Sequence, residues 1–235
     1  MKKSRSNRTL TILAIAAGII IGLYLVANIL GAIRPYKISS NSSRPTLKEG
    51  DHILISNLVS PKRFDFICFR RTDKFEGKIT VTYRLCGMPG DTVEMRSGEL
   101  YINGRNTDTS LSLTYLYLLP KAAHPTLDSL FTFDEMEAPM QINDTQIIAT
   151  LSGDEIKKLV SLRIPIHRSI KEKDSAQPFI EEIYHKPWNE DYFGPIILPK
   201  DNYFVLGDNR YRADDSRYIG LISKDSIVGT VIRHW

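Results

Sequence analysis

Cysteine and histidine are scarce in this sequence, internal repeats are absent, and each shortage removes a class of protein. Two cysteines in 235 residues, Cys68 and Cys86, allow at most one disulfide. Both sit in apolar, strand-like segments, where they read as buried thiols packing as small hydrophobes; pairing in an oxidising compartment is the alternative. The five histidines, at positions 52, 124, 167, 185 and 234, show no metal-ligand spacing, so neither a metal nor a cofactor is expected. A serine triad built on one of them would need His52 or His234 brought to Ser42. No repeat or low-complexity tract argues for an array or a disordered tail.

Acidic residues are missing from the first 35 positions, which hold five Lys or Arg. That leaves 26 basic residues against 27 acidic ones in 36–235, a net of −1, although the whole chain carries +4. The basic surplus is therefore confined to one end, and nucleic acid as a partner loses its electrostatic warrant.

What that end does have is a long apolar run. Thr9 to Ile33 carries no charge; as a helix its 25 residues reach roughly 37 Å, enough to cross a bilayer core of about 30 Å with some tilt. A cleaved secretory leader has a shorter apolar part, of about 7–15 residues, closed by an A-x-A-like triplet. None closes this run, so it reads as a retained anchor with the lipid bilayer as partner. Lys2, Lys3, Arg5 and Arg8 before the run outweigh Arg34 and Lys37 after it. This bias places the N-terminus (1–8) in the cytoplasm, 9–33 in the cytoplasmic (inner) membrane as a single pass, and the main domain on the outer, periplasmic side.

Beyond the anchor, His52–Ser56, Phe64–Phe69, Ile79–Leu85 and Glu99–Asn103 are β-branched and aromatic segments that alternate in the strand period. Gly-, Pro- and Asp-rich breaks separate them. Regular patterning returns at Ile196–Leu206 and Ile227–Ile232. The fold class is mainly β, an antiparallel, barrel-like sheet, with a core from 36–106 and 193–235 and an inserted α+β subdomain over 107–192. Within the insertion, Ser152-Gly-Asp-Glu155 fits a capping box opening a short helix through about Leu162.

Three blocks carry the chemistry: Ser40-Asn-Ser-Ser-Arg-Pro-Thr-Leu47, Tyr83-Arg-Leu-Cys-Gly-Met-Pro-Gly-Asp91 and Gly207-Asp-Asn-Arg-Tyr-Arg-Ala-Asp-Asp-Ser-Arg217. Singly they read as a linker, a turn and a solvated ion-pair loop. Together and in this order they resemble the type I signal peptidases, serine endopeptidases of bacterial membranes. That family reads Ser-Gly-Ser-Met-x-Pro-Thr-Leu, then Lys-Arg-x-x-Gly-x-Pro-Gly-Asp, then Gly-Asp-Asn-Arg-x-x-Ser-x-Asp-Ser-Arg. The resemblance implies removal of signal peptides from secretory precursors, a taste for small residues before the cut, and a signal peptidase fold. It implies Ser42 as nucleophile, Ser40 as the hydroxyl that helps the Ser42 N–H hold the oxyanion, and Arg84, Asp208, Asp215 and Arg217 as supports of the core loops.

Two departures fall on one functional unit. The family lysine that activates the serine is Tyr83 here, and the serine that bonds that lysine is Ala213. A phenol with a pKa near 10 is protonated at neutral pH; acting as base, Tyr83 needs a nearby cation, for which Arg44 and Arg84 are candidates. The nearest lysine, Lys78, lies five residues before Tyr83, so strand parity sends it to the opposite face unless a bulge redirects it. The alternative function is a catalytically decayed relative that binds precursors or partners with an active paralogue.

Overall fold

The computed structural model describes residues 2–73, 75–133 and 137–235. It begins with helix α1 (Lys2–Ile29). Its apolar span, Arg8–Ile29, has a mean hydropathy of 2.6, and none of it is buried against the rest of the protein. The helix stops four residues short of the end of the apolar run. Arg34 turns back there, donating from Nε to the Asn28 carbonyl and from Nη2 to that of Ile29. A cation on these terminal carbonyls satisfies acceptors that the helix cannot and complements its dipole.

The chain then forms β1 (Arg34–Lys37), β2 (His52–Ser56), β3 (Phe66–Asp73), β4 (Gly77–Gly87), β5 (Thr92–Arg96), β6 (Glu99–Ile102) and β7 (Arg105–Asn106). The middle contributes β8 (Thr114–Pro120), α2 (His124–Leu130), β9 (Met140–Gln141), β10 (Gln146–Ser152), α3 (Gly153–Ser161), β11 (His167–Arg168) and α4 (Pro178–Tyr184). The end adds β12 (Phe193–Ile197), β13 (Asn202–Leu206), α5 (Ser216–Ile219), β14 (Ile222–Ser223) and β15 (Ile227–His234). These strands make a seven-stranded sheet ordered β1-β2-β15-β3-β4-β13-β14 and two four-stranded sheets, β12-β5-β6-β7 and β11-β8-β10-β9. Paired strands run antiparallel throughout the three, so the mainly antiparallel β class is observed.

The apolar run in β3 has a structural reason. Phe66 and Cys68 pack with Leu47, Ile53 and Ile55 on one face, while Ile67 and Phe69 pack with Tyr83, Leu85 and Val205 on the other. A central strand covered on both sides cannot alternate apolar with polar residues. The expected strand at 64–69 starts two residues later, because Phe64 has a positive φ of 73°. Residues of β8, β10, α2 and α3 enclose a separate cluster around Leu119, Leu127, Ile147 and Leu159. By contrast, Ile180 of α4 joins Val93, Leu100 and Phe193 in the cluster that β4 and β13 share with β5, β6 and β12. The capping box forms: Ser152 accepts from the Glu155 N–H, and Glu155 accepts from the Ser152 N–H.

Both cysteines are free and buried, in different clusters. Burial pushes the Cys68 thiol up to about 11 and the Cys86 thiol up to about 12. Only the thiolate alkylates readily. A maleimide at about pH 8 is therefore expected to leave both unlabelled in the folded chain and to label both after denaturation, read by intact mass.

Candidate active site

Ser42 lies on a turn between β1 and β2, and the turn is tied down at several points. The Arg44 N–H donates to the Asn41 carbonyl and the Leu47 N–H to that of Ser43. Leu47, fully buried beneath, anchors the turn to the sheet. Ser43 Oγ donates to the Thr82 carbonyl at 3.0 Å, fixing the turn against β4 one residue from Tyr83. From the other side, the Asn209 N–H donates to the Ser42 carbonyl at 3.1 Å and Asn209 Nδ2 to that of Asn41 at 3.2 Å.

Gly207 explains how close this loop comes. A Cβ built there would lie 2.5 Å from the Ser42 carbonyl oxygen and 2.3 Å from Ala213 Cβ. The Gly207→Ala variant is expected to cost about 1–3 kcal/mol of stability through overpacking, seen as a lower Tm. It should also displace the Ser42 hydroxyl, because the added methyl pushes on the residue that bears it.

The half-buried Ser42 hydroxyl donates to the Arg212 carbonyl at 2.7 Å, and Ser40 Oγ donates to Ser42 Oγ across a long 3.4 Å. The Tyr83 phenol lies near the Ser42 hydroxyl and shares a small cleft with Ser40 and Ser43. The structure thus brings Ser40, Ser42 and Tyr83 together. Burial, and then the Asp215 carboxylate, push the Tyr83 phenol far above its ordinary value, against a smaller opposing pull from the Ser42 hydroxyl. Its surroundings are apolar, with Ile67, Leu85, Val205 and Ala213 in one cluster and the Phe69 ring 6.1 Å away.

Neither proposed cation supplies what a phenolate would need. Arg44 is paired with Glu137 and, at 3.4 Å, with Glu155. Arg84 projects to the other face of β4, where Nε and Nη2 each reach Asp208 at 2.6 Å and the guanidinium lies over Phe66. Lys78 is excluded as a substitute amine. The β3–β4 register runs without a shift from Asp73↔Gly77 to Phe66↔Arg84, so no bulge turns it, and its side chain is exposed.

Asp208 and Asp215 are each part of a buried charge pair. Thr46 Oγ1 donates to Asp208 at 2.5 Å, joining the turn that bears Ser42 to the Arg84–Asp208 pair. Arg217 donates from Nε and Nη2 to Asp215 at 2.8 Å each, and from Nη1 and Nη2 to the Glu190 and Arg210 carbonyls. Among the described residues no group of His, Cys, Asp or Glu is arranged to hold a metal. Sequence reading missed Glu137, which accepts from Asn209 Nδ2 at 2.8 Å besides pairing with Arg44. Nothing in its Pro-containing surroundings signals that role.

A family model described as "Signal peptidase, peptidase S26" matches residues 8–235. The chain belongs to that family. Its relatives include "Signal peptidase I T" of Bacillus subtilis, 28% identical over 97% of this chain and 88% of the relative. "Signal peptidase I" of Streptococcus pneumoniae is 26% identical over 85% of this chain and 80% of its own length. "Signal peptidase I" of Buchnera aphidicola is 27% identical over 86% of this chain and 69% of its own. The crystal structure of a signal peptidase I from Enterococcus faecalis is similar over 73% of this chain and 97% of that one, at 26% identity and a TM-score of 0.33.

Proposed function

We propose that this chain is a membrane-anchored serine endopeptidase that removes signal peptides from exported precursors, with Ser42 as its nucleophile. The observation that carries this reading is the Ser42 hydroxyl on a braced turn beside Ser40, in a chain of the signal peptidase family. Ser42 Oγ attacks the scissile carbonyl and forms an acyl-enzyme as the amide C–N bond breaks; water then releases the signal peptide. The Ser42 N–H and the Ser40 hydroxyl hold the oxyanion, where one donor typically contributes about 3–4 kcal/mol to lowering the barrier. Arg84–Asp208 and Arg217–Asp215 hold the loops in place. The anchor keeps Ser42, nine residues beyond Ile33, within about 30 Å of the bilayer, with the N-terminus in the cytoplasm and the domain outside.

Tyr83 is not the base in this mechanism, since burial and the Asp215 carboxylate keep its phenol protonated and unable to take the Ser42 proton. With no side-chain base at 83, the Ser42 proton passes to solvent water, solvent also supplies the proton that the departing amine takes up, and turnover is slow. In detergent micelles wild type is expected to cleave a preprotein weakly, and Ser42→Ala to abolish the cleavage; equal cleavage by both would remove Ser42 from the chemistry. The paired change at 83 and 213 favours a second reading, a decayed relative that binds precursors or serves an active paralogue. Wild type that binds a precursor without cutting it at any pH would decide for that reading.

A further inference from the structure

Two clefts of unequal size each reach a neighbour of Ser42, the smaller at Ser40 and Ser43 and the larger at Arg212. The smaller, about 60 Å³, is lined by Ile38, Ser40, Ser43, Val81 and Tyr83. The larger, about 530 Å³, is lined by Glu137, Met140, Ile142, Ile148, Tyr211 and Arg212. It starts beside the serine: the Arg212 carbonyl accepts the Ser42 hydroxyl at 2.7 Å, and Asn209 Nδ2 bridges the Asn41 carbonyl and Glu137. Resting on the function above, we propose that this larger groove, between β9 and the loop bearing Tyr211 and Arg212, binds the stretch of precursor that follows the scissile bond.

Size assigns the two sides. The small cleft has room for about two waters' worth of volume at roughly 30 Å³ each, which suits a small side chain before the cut. The large groove accommodates several residues of varied size, as the start of a mature protein requires. Its wall is also suited to an extended chain. Among the described residues β9 pairs only with β10, through Gln141↔Ile147 and Met140↔Ile148. Its outer edge therefore presents main-chain donors and acceptors for strand addition. Met140 and Ile142 beside it are 62% and 46% exposed, apolar surface that a bound chain would cover. A third groove, lined by Phe75, Phe179 and Tyr218, has about 660 Å³, but among the described residues no hydrogen bond links its lining to Ser42 in the way Arg212 does. The insertion thereby acquires a role: it forms the wall that receives the departing chain.

Photo-cross-linking tests this without needing turnover. The full chain carrying Ser42→Ala, in detergent micelles, is mixed with a preprotein bearing a benzophenone amino acid either three residues before the cut or three residues after it. The probe after the cut is expected to attach within 138–142 or 148–150, and the probe before it within 36–40 or 80–83. A Met140→Asp/Ile142→Asp variant should lower the first yield several-fold and leave the second unchanged. Attachment of the probe after the cut to 36–40, to 80–83 or to the Phe75 groove would overturn the inference, as would cross-linking by the probe before the cut alone. Silence from both probes would bring down the signal peptidase reading with it.

Discussion

Replacing Tyr83 by lysine together with Ala213 by serine is expected to raise precursor cleavage by about 10²–10⁴-fold, the range a positioned general base supplies. Tyr83 is buried among Ile67, Phe69, Leu85 and Val205. A lysine there would be desolvated, which lowers its pKa and frees the neutral amine to accept the Ser42 proton. The Asp215 charge that raises the phenol opposes this less than it might, because Arg217 neutralises it at 2.8 Å. The serine restored at 213 would orient the amine. The pH profile separates the two forms of the enzyme: wild type, relying on water, should keep gaining rate as pH rises, whereas the variant should reach a plateau once its lysine is deprotonated. A double variant no faster than wild type, yet equally stable, would show that the loss extends beyond those two positions.

Arg217→Met is expected to produce the largest loss of stability among the substitutions considered. Arg217 and Asp215 are 1% and 0% exposed. Removing the guanidinium leaves a buried carboxylate that, among the described residues, faces only the backbone N–H groups of residues 207 and 217, and leaves the Glu190 and Arg210 carbonyls without its donors. Breaking such a pair costs about 3–5 kcal/mol, which for a domain of this size lowers Tm by roughly 10 °C. Circular-dichroism melting in detergent measures it. Asp215→Asn/Arg217→Met should recover part of the loss, since no full charge then stays buried alone; a double variant worse than the single would contradict the electrostatic account. Arg210 and Asp108, bonded at 2.6 Å through both guanidinium ends, should behave alike and would loosen the seam between the core and the start of the insertion.

Much of this was legible in the sequence because it depends on local periodicity. The two-residue period in Ile79–Leu85 already separates Tyr83 from Lys78, and the unbroken register of β4 keeps them apart. Capping chemistry at Ser152 and Glu155 needs only three residues, and the helix starts where that spacing says, although it ends at Ser161. The apolar run at 9–33 announces a helix; its end at Ile29 was not legible, because it depends on Arg34 folding back. Cations near Tyr83 were misjudged from sequence for a related reason: Arg44 and Arg84 are near in the chain, but which carboxylates claim them is a tertiary matter.

By itself the sequence determined the signal peptidase family, the antiparallel β class, the apolar anchor and the two missing side chains at 83 and 213, since order and type of residues suffice for each. Only the tertiary structure decided where the Ser42 proton points, to a carbonyl 170 residues away, and which carboxylate braces its turn, Glu137, 93 residues from Arg44. Those contacts join irregular loops whose meeting is set by how the sheets close and pack, and no period in the chain encodes it.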